Sequence, residues 1–94
     1  MKPRLEVAIG FGENLRRCRR RAGISQEELS FRSSVHRVQV GKMERGETLP
    51  RIDTLLRLAG GLGSQPHELL EGLTWAPPAA PPLGSFRVTA DRLP

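Results

Sequence analysis

One cysteine, Cys18, is all the thiol chemistry that the 94 residues carry. An internal disulfide is therefore excluded, and a reducing compartment is implied. No apolar run approaches the roughly 20 residues that a membrane-spanning helix needs. The opening stretch MKPRLEVAIGFGE has no apolar segment of the signal-peptide kind and carries Glu6 and Glu13. A cytoplasmic protein with no membrane association is expected. Acidic residues are also scarce: Asp and Glu total 10 against 15 Lys and Arg, a formal net charge of +5 with a pI near 11.0. That balance suits an anionic partner, nucleic acid above all, although charge on a small protein also serves solubility. Catalytic equipment is missing as well. There is no metal-ligand cluster and no nucleophile with a plausible base. GFGEN and GGLGS lack the strand–loop–helix context of phosphate-binding glycine loops. Neither enzyme activity nor a metal or cofactor is expected.

What is present reads as helices. Phe11, Leu15, Cys18 and Ala22 recur at i, i+4, i+7 and i+11, with Arg16, Arg17, Arg20 and Arg21 largely off that stripe, and Gly23 ends the segment. Leu5, Ala8 and Ile9 extend the apolar face backwards, but Gly10 and Gly12 leave the start open between the two positions. Ser25 followed by Glu28 forms a capping box, and Ile24 with Leu29 supplies a hydrophobic staple, so two separate signals start a second helix at Ser25. It runs to about Ser33. Val35, Val40 and Met43 organise a third helix over about 36–45, closed by Gly46. After the loop ETLPR, the residues Ile52, Leu55, Leu56, Ala59 and Leu62 trace a broad apolar face for a fourth. Pro66 starts a short fifth helix carrying Leu69, Leu70 and Leu73. Beyond it, Pro77, Pro78, Pro81 and Pro82 favour extended chain. SFRVTA, residues 85–90, has the alternation of one short strand. With no strand partner in sight, it would be disordered or paired with another chain. No internal repeat is visible. Three parts are expected: 1–10 as a lead-in or the start of helix 1, 11–73 as the domain, and 74–94 as a Pro-rich extended tail.

A capped helix, a short turn around Ser33 to His36 and a second short helix make a helix-turn-helix. The series LRRCRRRAGISQEELS, Val35, Val40, MERG, Pro50 and LLRLAGGLG resembles the lambda-repressor-like, Xre-type transcriptional regulators, including the small controller proteins of restriction–modification systems. The resemblance covers about residues 11–73. It implies an all-α fold: a compact five-helix lambda-repressor-like DNA-binding domain, with the extended Pro-rich C-terminal tail attached. It also implies that the third helix enters the major groove of double-stranded DNA. On these residues, base reading falls to Arg37, Val38 and Lys42, where arginine can bond guanine and valine can meet a thymine methyl. Gln26, His36, Arg45, Thr48 and Arg51 are implied as sugar–phosphate contacts, with Gln26 also buttressing the reading helix. Arg19 and Glu44 match an ion pair between helices 1 and 3 that recurs in the family.

Three positions depart from the family pattern. Ser34 stands where the turn glycine is usual and tolerates a positive φ poorly. His36 is a weak N-cap. Gly41 sits mid-helix, either to admit the DNA backbone or simply at a cost in helix stability. Elsewhere, Cys18 reads as a small core residue rather than a redox sensor, and His67 as a first-turn helix residue. Trp75 either covers the domain's own core or anchors a dimer. Leu69, Leu70, Leu73 and Trp75 together leave more apolar surface than five short helices obviously bury, which points to a self-interface. The function expected is a sequence-specific transcriptional regulator, a homodimer on an inverted-repeat operator. The alternative is an antitoxin-like or other protein-binding module that engages a protein partner through its C-terminal tail.

Overall fold

The computed structural model describes residues 5–79 and 84–89. Five helices follow in order, α1 Glu6–Ala22, α2 Gln26–Ser33, α3 Arg37–Glu44, α4 Ile52–Leu62 and α5 Pro66–Leu69, and then two strands, β1 Leu73–Ala76 and β2 Ser85–Val88. In α1 the buried stripe of Phe11, Leu15 and Cys18 continues back through Val7 and Ala8, so the helix starts at Glu6; Ala22, at the other end, is exposed. Gly12 does not interrupt it. α1 crosses α3 there, and a Cβ on Gly12 would strike the Met43 carbonyl oxygen and come within 2.8 Å of that of Glu44. The helix cost of the glycine, about 1 kcal/mol against alanine, is offset by this backbone approach.

α2 opens as its cap residue dictates: the Glu28 amide donates to Ser25 Oγ at 3.0 Å. The reciprocal half of the expected capping box is not made, because the Glu28 carboxylate turns outward to Arg32 at 3.0 Å. Ser34 does take the left-handed turn, at φ 56°, a conformation that costs a non-glycine residue roughly 1–2 kcal/mol. Ser30 Oγ holds the turn from inside by donating to the Val35 carbonyl at 2.6 Å. α3 then buries Val40 and Met43. In α4 the buried face consists of Leu55, Leu58, Ala59 and Leu62. Ile52 and Leu56, expected inside, are 72% and 54% exposed. They sit one helical turn apart on a flank beside the core stripe, as spacing i, i+4 requires.

Around Leu69 and beyond, the expected architecture needs correcting. α5 ends at Leu69, so Leu73 belongs to β1 and not to a helix. The fold is thus not purely α. β2 is no lone strand either: it pairs antiparallel with β1, Leu73 opposite Val88 and Trp75 opposite Phe86. The described part of the tail folds back on the domain, with Leu73 and Val88 against Gly10 of α1. Trp75 and Phe86 meet edge to face, ring centroids 5.0 Å apart. Ala90, which the expected strand included, lies outside the described residues, as do Pro81 and Pro82.

The core gathers Phe11, Leu15 and Cys18 of α1 with Leu29, Val40, Met43, Leu58 and Leu69 from the other helices. Asn14 is fully buried among them and fully bonded. Its Nδ2 donates to the carbonyls of Leu69 and Glu71, at 3.0 and 2.9 Å, and its Oδ1 accepts from Arg17 at 3.0 Å. It thereby satisfies carbonyls that the short α5 leaves open. Burial pushes the Cys18 thiol up, with Arg21 and Arg17 opposing in part. The expected result is slow labelling by a thiol reagent in native protein and fast labelling in denaturant, with Cys18→Ala costing about 1–2 kcal/mol. Native labelling as fast as denatured labelling would contradict this burial.

Candidate DNA-binding surface

The hub of the helix-turn-helix is Glu44, a carboxylate with almost no solvent exposure. Arg19 grips it with two bonds, Nε to Oε2 at 2.5 Å and Nη2 to Oε1 at 3.0 Å. Gln26 Nε2 donates to the same Oε1 at 2.9 Å, and Arg16 Nε stands 3.6 Å away. One carboxylate therefore ties α1, the start of α2 and the end of α3 together. Burial alone would raise its pKa. The bonds from Arg19 and Gln26, with the charges of Arg19 and Arg16, prevail and hold it below the ordinary carboxylate range. Arg19 Nη1 also donates to the Ile24 carbonyl at 3.0 Å, which fixes the chain just ahead of α2. Gln26, predicted to buttress the third helix, spends one amide bond doing so.

That clamp presents one side of α3 to solvent. Arg37, Val38 and Lys42 are all exposed, while Val40 and Met43 on the opposite side are buried. His36 caps the helix: its Nδ1 accepts from the Val38 amide at 3.2 Å. A notch on this face is lined by Gln26, His36, Arg37, Val38, Gly41 and Arg45. Gly41 is buried, and a Cβ on it would stand 3.1 Å from Arg45 Nη1. The missing side chain gives the Arg45 guanidinium room to fold back over α3, which neither reading of this glycine from sequence anticipated. A second notch continues past the turn, where His36, Thr48 and Arg51 are joined by Gln39, Thr54 and Arg57. Gln39, Thr54 and Arg57 were missed by sequence reasoning.

The residues named for a self-interface separate. Leu69 is 0% exposed and belongs to the monomer's core, so it is not part of any surface patch. Leu73 is half-buried against that core. Leu70 and Trp75 remain 44% and 52% exposed. They border an apolar groove with Ile52 and Phe86, floored by Phe11 and Leu55. Among the described residues, no helix is long and apolar enough to cross a membrane, and no group of three His, Cys, Asp or Glu is placed to hold a metal.

Known proteins share this arrangement. The family model described as helix-turn-helix, HTH_3, matches residues 15–69. The control protein C.BamHI of Bacillus amyloliquefaciens is 34% identical over 69 residues, covering 72% of this chain and 85% of its own. An HTH-type transcriptional regulator of Sinorhizobium fredii, y4dJ, is 39% identical over 59 residues, covering 63% of this chain and 77% of its own. The crystal structure of the restriction–modification controller protein C.AhdI from Aeromonas hydrophila superposes with a TM-score of 0.64 at 40% identity, covering 66% of this chain and 94% of that one. These relatives are regulators rather than enzymes. The clamped α2–turn–α3 unit, the match over most of the domain and these relatives place the chain in the helix-turn-helix family of Xre-type, lambda-repressor-like DNA-binding transcriptional regulators.

Proposed function

We propose that the protein regulates transcription as a homodimer bound to an inverted-repeat operator, with α3 of each copy in the major groove. Arg37, Val38 and Lys42 turn toward base edges. Gln26, His36, Arg45, Thr48 and Arg51 take the sugar–phosphate backbone on either side. The observation that supports this reading is the pair of notches that meet at His36, one lined by Gln26, Arg37, Val38 and Arg45 and the other by Thr48 and Arg51, beside an α3 whose orientation Glu44 fixes. Bidentate arginine–guanine bonding supplies selectivity, and the flanking basic residues supply register and affinity. An antitoxin-like role through the tail is disfavoured, since the paired strands fold back on the protein's own α1.

The test separates the two classes of residue on a site selected from random duplexes. Arg37→Ala should cost roughly 1–3 kcal/mol on that site and flatten discrimination at one base position. Arg45→Ala should weaken the preferred site without changing which base is favoured at any position, and lower the salt slope on that site by about one. Titrations of preferred and scrambled duplexes at several salt concentrations read both. Equal losses on the two duplexes for Arg37→Ala would take it off the reading face.

A further inference from the structure

We propose that Glu27, Glu47 and Asp53 act as negative specificity determinants: each holds a DNA-face arginine in an ion pair that only a well-placed DNA group can exchange. The proposal rests on the DNA-binding reading above and concerns what the free protein does with the same side chains. Arg37 Nη1 lies 3.6 Å from Glu27 Oε2, both side chains largely in solvent. Arg45 Nε donates to Glu47 Oε2 at 2.6 Å. Arg51 is engaged on both prongs of its fork, Nε to Asp53 Oδ1 at 3.1 Å and Nη2 to Oδ2 at 2.7 Å. The bond from Arg51, helped by the Thr54 amide and the charge of Arg57, keeps the Asp53 carboxyl at about 2. The carboxylate is therefore ionised wherever the protein would meet DNA.

Binding DNA is then an exchange. The arginine leaves a carboxylate for a phosphate or a base, and the carboxylate returns to water beside a polyanion. Exposed pairs are weak, about 1.4- to fivefold each in an equilibrium constant, so the exchange is reversible. Its sign depends on geometry. A phosphate held in register offers Arg51 two short bonds in place of the two it gives up. On a random sequence, where contacts are loose and water-separated, the phosphate offers fewer, and the pair stays closed. Non-specific binding draws essentially all its strength from such contacts, so it loses more than specific binding does. Arg37 follows the same logic with a base edge as the exchanging group.

The experiment compares Glu27→Gln, Glu47→Gln, Asp53→Asn and the triple variant with wild type on preferred and scrambled duplexes. Asparagine at 53 keeps an oxygen for the Thr54 amide, which now bonds Asp53 Oδ1 at 3.0 Å. Glu71→Gln is the control. It makes the same charge change, but its carboxylate pairs with Arg17, 3.1 Å away on the α1–α5 side. Thermal melts check folding, and the singles, each altering one exposed side chain, decide the matter should the triple unfold. The triple variant is expected to bind scrambled DNA about tenfold tighter and the preferred site only about threefold tighter, shrinking the specificity ratio. Its salt slope on scrambled DNA should steepen by about 0.9 for each arginine released. Equal gains on both duplexes, no gain on scrambled DNA, or the same effect from Glu71→Gln would overturn the proposal while leaving DNA binding intact. Wild-type protein that binds no duplex at low salt would overturn the DNA-binding reading itself, and this proposal with it.

Discussion

Glu44→Leu is expected to destabilise the fold by about 3–5 kcal/mol, because it strips a buried ion-pair network of its single anion. Arg19, whose side chain is only 14% exposed, would be left charged with no counterpart. Gln26 would lose the acceptor of its inward amide bond. Domain stabilities run to only about 5–15 kcal/mol, so the loss is a large share of the total. Adding Arg19→Met should recover much of it, since an apolar pair of similar volume removes the stranded charge. The pH dependence follows from the direction of the shift. Glu44 titrates lower when folded than the ordinary value of about 4.3. Its contribution is thus complete above that value and is lost as pH falls through the lower, folded one. Urea melts of wild type should lose stability on acidification below about pH 4, and melts of Glu44→Gln should lose less. A Glu44→Leu protein that melts within 0.5 kcal/mol of wild type, roughly the limit for an innocuous surface change, would show that the clamp is not structural.

Where a local rule acts alone, the sequence could be read directly. Ser25 caps α2 because a hydroxyl before the first turn meets an open amide. The stripe of Phe11, Leu15 and Cys18 is buried because helical spacing lets those three share a face. Where two neighbouring apolar residues compete for one core, pattern alone cannot choose between them. Leu69 is inside and Leu70 outside; Leu55 is inside and Leu56 outside. The choice is made by how α4 packs against α2 and α5 against α1, which is a tertiary fact. The hairpin was hidden for another reason. Residues 77–84 separate its strands and are dense in proline, so they read as extended chain rather than as a turn, and LTWA alone is too short to announce a strand. Asn14 gave no warning at all, since a buried amide is recognisable only once the carbonyls of Leu69 and Glu71 are known to face it. In the candidate site, the helical spacing made the exposure of Arg37, Val38 and Lys42 legible. The pairing of Arg37, Arg45 and Arg51 with Glu27, Glu47 and Asp53 was not: Arg37 and Glu27 stand on different helices, and the i, i+2 spacing of the other two pairs implies no contact.

Leu70→Ala combined with Trp75→Ala should convert a dimer to monomers and cut affinity for the full operator about 100-fold, the scale on which two linked half-sites exceed one. Both side chains are about half exposed in the isolated chain, at 44% and 52%, so the monomer's fold should survive their removal. Leu73 would be the wrong target, because it packs on the core and its loss would confuse unfolding with dissociation. Ile52, 72% exposed, and Phe86, 53% exposed, border the same groove. A contiguous exposed apolar cluster of this kind is a candidate interaction surface. A two-fold axis through it would set each copy's groove against the other's, residue for residue. The hairpin would then lie at the seam, with Trp75 as the aromatic anchor. Two α3 helices held this way must stand one DNA turn apart, roughly 34 Å, to read an inverted repeat. Sedimentation of wild type and the double variant, with titrations on full and half sites, decides the matter. A wild-type monomer that binds a half-site as tightly as the whole repeat would leave the apolar groove without this role.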